Sequence, residues 1–224
     1  EIDIQGTASA TLDHAIVQYG GAYDKDALVY AAAGTTLSLT HSTLAESLNH
    51  GVYAFGSDTV TLTGNAIGEC IGTGIYVRRV YTLDVSANTV SECGGGAITV
   101  SDATDGLAIA PVIRDNVLND NGQAIWIAGE YLTGERTISG NTGSGNGENA
   151  IKVSTDITGT LALGADNMGL AWYLDTTHVT PGATLVVDPG AVVKLAADLY
   201  VSGVLVADGN AGSEIVFTSF KDDS

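Results

Sequence analysis

Apolar and polar residues alternate in short runs along much of the chain. Around Asn65, Val60 and Leu62 alternate with Thr59, Thr61 and Thr63, and Ile67 follows. Around Asn88, Leu83 and Val85 alternate with Thr82, Asp84 and Ser86, and Val90 follows. A period of two with β-branched enrichment predicts short strands that bury one face. No window of useful length carries a 3.6-residue stripe. Gly-rich turns such as Gly94-Gly95-Gly96 and Gly143-Ser144-Gly145 separate the runs. The expected inward set is Val60, Leu62, Ile67, Ile75, Leu83, Val85, Val90 and Ile98.

The runs recur. Gly51-Val52-Tyr53, Gly74-Ile75-Tyr76, Ala97-Ile98-Thr99, Ala124-Ile125-Trp126 and Ala150-Ile151-Lys152 have central residues 23, 23, 27 and 26 positions apart. A second marker ends at Ser42, Asn65, Asn88, Asn116 and Asn141, with spacings of 23, 23, 28 and 25. Two independent markers keep nearly one period. Strands this short cannot each bury their apolar side alone, whereas stacked copies share a continuous core. About 23 residues per coil suits a three-sided parallel β-helix. A leucine-rich repeat is disfavoured, because its Leu-x-x-Leu-x-Leu consensus is missing. The whole of 1–224 is expected to be one all-β solenoid of about nine to ten coils, a rod about 45 Å long at strand spacing.

The Leu-x-x-Asn-x-Ile pattern and the Gly74-Ile75-Tyr76-Val77 type of strand start, clearest over 35–155, resemble the right-handed parallel β-helix repeat of pectate-lyase-like proteins. Residues 156–224 resemble a second type of coil from secreted or surface β-helix proteins of bacteria and archaea. Its marks are Gly182 to Lys194 and Val204 to Ser224. Leu12-Asp13-His14 through Gly20-Gly21 is similar to a coil that normally follows the one ending like Phe217 to Ser224. Here the order is reversed. The resemblance implies right-handed coiling. The reversal implies one unit of a tandem array, or of a longer solenoid, whose terminal coils pair with another copy; the alternative is that flanking sequence supplies ordinary caps.

Residues one period apart should stack, so aligned positions become columns. Asn65, Asn88, Asn116 and Asn141, preceded by Ser42, form an expected structural ladder satisfying buried turn groups. Five residues on come Ser47, Cys70, Cys93, Asn121 and Asn146. Cys70 and Cys93 should therefore be buried neighbours, read as free thiols because parallel side chains do not readily reach the ~90° disulfide dihedral. One position earlier lie Glu46, Glu69, Glu92 and Asp120. These stacked carboxylates either splay into solvent or hold Ca²⁺, which oxygen ligands suit. Asp102 to Gly106 and Asn119 to Gly122 are further oxygen-rich turns. Outward on the strand after the first marker stand Tyr53, Tyr76 and Trp126, which could stack on sugar rings or pack against neighbours.

Composition narrows the function more than it defines it. Apolar residues are 45%, which argues against disorder. Lys plus Arg total 8 against 26 Asp plus Glu, a net charge of −18. That balance argues against a nucleic-acid backbone or an anionic membrane surface as partner. No stretch approaches the ~20 apolar residues of a membrane span. Glu1-Ile2-Asp3-Ile4 is no signal peptide, so the leader of an exported protein would lie outside this chain.

β-Helix lyases use an Arg or Lys base beside calcium-binding carboxylates, and glycosidases use paired carboxylates. The arginines are Arg78, Arg79, Arg114 and Arg136, and Arg114-Asp115 and Glu135-Arg136 read as surface ion pairs. No complete lyase or glycosidase set is present. His14 and His41 share a column, but no third metal ligand is apparent. The expectation is an extracellular or cell-surface structural and adhesive segment without cofactor, save for Ca²⁺ on the acidic column. The alternative is a polysaccharide-binding or lyase-like module using the outward aromatics.

Overall fold

Each alternating run becomes a strand that pairs in parallel with the same run one coil away. The computed structural model describes residues 1–21, 26–101, 111–129 and 137–222. Among these there is no helix, and every named strand pairing is parallel. A ten-stranded sheet runs from Ile2–Ile4 to Val216–Ser219. Two six-stranded sheets accompany it, ending at Thr137–Ser139 and Thr142–Ser144. Beyond them a three-stranded sheet takes over, formed by Thr160–Leu163, Thr184–Val187 and Val204–Ala207.

The register follows the repeat. Ile75 pairs with Val52 on one side and Ile98 on the other, and Val60, Leu83 and their neighbours keep the same step. All eight expected inward residues are buried, none more than 2% exposed. They join one apolar cluster running from Ile4 to Val193. The inward column that carries Ile151 continues through Trp172, Val193 and Phe217. Trp172 is the largest fully buried side chain, and its Nε1 donates to the Gly164 carbonyl at 2.8 Å.

Two corner columns turn the chain by means of single left-handed residues. At the first, His14, His41, Gly64, Ala87, Asp115 and Gly140 have φ between 47° and 67°. Tyr19, Glu46, Glu69, Glu92, Asp120 and Gly145 occupy the second, at 54° to 69°. A left-handed residue with a Cβ costs roughly 1–2 kcal/mol. Hydrogen bonding at the next position offsets that cost. Behind the first corner, Asn65 Oδ1 accepts from the Ser42 N–H at 2.9 Å. The pattern repeats upward through Asn88, Asn116 and Asn141, each amide also donating to a strand carbonyl below. The ladder goes one rung further than the sequence reading, to Asn167, which accepts from Asn141 Nδ2 at 3.0 Å. Behind the second corner, Cys93, Asn121 and Asn146 form a shorter version.

Cys70 and Cys93 are free and buried. Their side chains lie against each other, and this contact together with burial holds the Cys70 thiol far above its usual pKa. The Cys70 thiol therefore stays protonated and donates to the Cys93 sulfur, whose own pKa that hydrogen bond lowers.

Candidate functional site

Three outward features could carry chemistry: the aromatic column, the acidic column and the first corner. On the ten-stranded sheet, strand register stacks Tyr30, Tyr53 and Tyr76, and further along Trp126, Lys152 and Tyr173. The Tyr53 and Tyr76 rings are 5.0 Å apart and inclined by only 9°, so each covers a face of the other. Tyr30 meets Tyr53 edge-on at 5.4 Å, and His50 lies 5.0 Å from Tyr76. Burial, followed by the neighbouring Tyr76, raises the Tyr53 pKa; burial lowers that of His50. Trp126 is 37% exposed, with Nε1 donating to Ser154 Oγ at 3.2 Å. Lys152 bridges to Asp175 at 3.4 Å and sits 4.9 Å from the Tyr173 ring centre.

Glu46, Glu69, Glu92 and Asp120 all sit on left-handed corner positions, which throws their side chains outward. Glu69, Glu92 and Asp120 are exposed. Glu46 is half-buried beside Tyr19, whose pKa is raised by a hydrogen bond to it. Tyr19, Leu48 and Ile71 add exposed apolar surface around Glu46 and Glu69. Asp102 to Gly106, Glu135 and Arg136 lie outside the described residues. Among the described residues Arg114 and Asp115 do not form the expected ion pair. Asp115 is itself a left-handed corner residue, so the two side chains leave the backbone in different directions.

At the first corner the third partner missing from the sequence reading is present. Asp13 Oδ2 lies 3.0 Å from His14 Nδ1, and Asp13 Oδ1 lies 3.0 Å from His41 Nδ1. Thr40 Oγ1 also donates to Asp13 Oδ1 at 2.8 Å. Hydrogen bonds from His41, Thr40 and His14, in that order, hold the Asp13 carboxyl well below the usual range. The two imidazoles stack at 5.1 Å. The sequence carries only the proximity, since Asp13 adjoins His14 and strand pairing sets Asp13 beside Thr40, the neighbour of His41. Among the described residues this is the sole trio of His, Cys, Asp or Glu whose ligand atoms converge, all within 4.8 Å. The acidic column offers no such convergence.

The family model for the right-handed beta helix region matches residues 2–162. The chain belongs to that family. No curated protein and no solved structure matches it. For a right-handed β-helix, family membership establishes the scaffold, while chemistry must be argued from the surface columns. Among the described residues no helix is long and apolar enough to cross a membrane.

Proposed function

We propose that this right-handed β-helix is a structural and adhesive segment of an extracellular or cell-surface protein, stacking end to end with further copies of itself. The observation that carries the reading is the uniform parallel direction of the ten-stranded sheet, which lets one coil stack on the next without a change of strand direction. Leu185 and Val193 are fully buried, yet the residues above them, Leu205 and Phe217, are 39% and 42% exposed. Both continue inward columns, so a further coil, whether from the same chain or from another copy, would cover them. Ile2–Ile4 and Val216–Ser219 are opposite edges of the same ten-stranded parallel sheet. A copy added head to tail therefore continues the sheet with the same strand direction. Such a heterologous contact does not close, so it builds a fibre or stalk.

Light scattering and negative-stain microscopy across rising concentration test this. Filaments or a ladder of oligomers are expected, abolished by Leu205→Asp or Phe217→Lys. A monodisperse monomer at every concentration would overturn it. A polysaccharide-binding role would rest chiefly on Trp126, because the facing surfaces of the Tyr53 and Tyr76 rings are occupied by each other. Sugars stack on open ring faces, so the structural reading is the better supported. A panel of soluble and insoluble polysaccharides separates the two.

A further inference from the structure

We propose that Asp13, His14 and His41 form a binding site for a divalent transition-metal ion of the zinc class. The two imidazole Nδ1 atoms approach different oxygens of one carboxylate, each at 3.0 Å. A tetrahedral ion with bonds of about 2.0–2.1 Å has ligand-to-ligand edges of roughly 3.3 Å. Each imidazole already lies near that edge length from one oxygen of the shared carboxylate. All three ligand atoms lie within 4.8 Å of one another, and side-chain rotation would bring the wider separation to the edge length.

The backbone also holds the donors in place. His14 and His41 occupy the same left-handed corner in successive coils, with φ of 52° and 47°. The strands before them, Ser9–Asp13 and Thr36–Thr40, pair residue for residue. Neither imidazole has to be recruited from a mobile loop, so little ordering is needed on binding. The column then ends its imidazoles: Gly64 follows, and a Cβ there would lie 3.2 Å from His41 Cδ2. A glycine at this rung leaves space beside the His41 ring, which a side chain would restrict.

The donor set selects the ion. Two imidazole nitrogens and one carboxylate suit Zn²⁺, Ni²⁺ or Cu²⁺, whereas Ca²⁺ takes six to eight oxygens. The net charge of −18 favours any cation at the surface. The side chains of His14, His41 and Asp13 are 74%, 59% and 52% exposed. Positions beyond the three protein ligands are therefore open to water or to a donor from another molecule. Each metal bond replaces an Asp–His hydrogen bond or the hydration of an exposed imidazole.

Titration of the tag-free chain, stripped with chelator and dialysed, with zinc chloride by calorimetry tests the site. One zinc per chain is expected, with perturbed Nδ1 resonances of His14 and His41 in ¹⁵N-edited imidazole spectra. His14→Asn and His41→Asn keep a residue that tolerates the left-handed backbone, and each should weaken binding at least about tenfold. His178→Asn, at a distant histidine bonded to Ser202, should leave it unchanged. Absence of heat and of spectral change at millimolar zinc would overturn the proposal. So would unchanged affinity in both corner variants, or perturbation confined to His50 or His178. If either variant loses its β-sheet circular dichroism, the wild-type imidazole spectrum decides alone.

Discussion

Replacing Asn88 by leucine removes a rung from the middle of the amide ladder. Asn88 Oδ1 accepts from the Asn65 backbone N–H at 3.0 Å and from Asn65 Nδ2 at 2.9 Å. Its Nδ2 donates to the Leu62 carbonyl at 2.8 Å and to Asn116 Oδ1 at 3.1 Å. The Asn116 oxygen keeps a donor after the change, because it also accepts from the Asn88 backbone N–H at 3.0 Å. The Asn65 N–H loses its acceptor while buried, which costs about 1–3 kcal/mol. One hydrogen of the Asn65 amide is stranded as well, at about 1 kcal/mol, while the other still reaches the Leu39 carbonyl. Added apolar contact from leucine offsets less than about 1 kcal/mol in a pocket lined by amides. The net expectation is about 2–3 kcal/mol, or a melting temperature lower by about 5–10 °C for a chain of this size. Urea and thermal unfolding followed by circular dichroism measure it. The urea slope checks that the stack still unfolds as one unit, since solenoids can lose segments separately. Thr89→Leu makes a comparable apolar addition at the next, exposed position and should stay within about 0.5 kcal/mol of wild type. If Asn88→Leu were no worse than Thr89→Leu, the ladder would not be holding the turn and the reasoning would fail.

Gly122→Ala should be severe, because the new Cβ would meet the carbonyl oxygens of Gly94 and Gly95 in the coil below; a loss above about 2 kcal/mol is expected. Gly182→Ala, at φ +87° but with nothing within 4 Å, should cost only about 1 kcal/mol of backbone strain, and equal losses by urea unfolding would refute this distinction. Cys70 and Cys93 should resist a thiol reagent in the native protein and react together once it is unfolded; fast native labelling would show the interior to be open. Because the folded pKa of Asp13 is depressed, its contribution to stability is present above the ordinary carboxylate range and is lost as pH falls through and below it. Asp13→Asn should thus lower the melting temperature at neutral pH and approach wild type at strongly acid pH, and a gap that widens on acidification would contradict the assignment.

The chain by itself determined the strands, the inward face and the columns. In a parallel solenoid, strand pairing sets each residue above its counterpart one period away. A one-dimensional period therefore states which residues touch, as for Asn65 with Asn88 or Cys70 with Cys93. Where the spacing changed, the signal weakened: Asn167 continues the ladder beyond the clearest repeats, and Trp172 occupies a column filled by Val and Ile in the coils before it. What only the tertiary structure decided lies between columns or in side-chain torsions. The period brings Tyr53 and Tyr76 together, but whether their rings offer faces to solvent or to each other depends on rotation about bonds that strand register does not constrain. It likewise pairs His14 with His41, while the third member of that group comes from the adjacent column. Asp13 reaches both imidazoles because the left-handed corner swings them back over the strand end, and that bend is a property of the folded backbone.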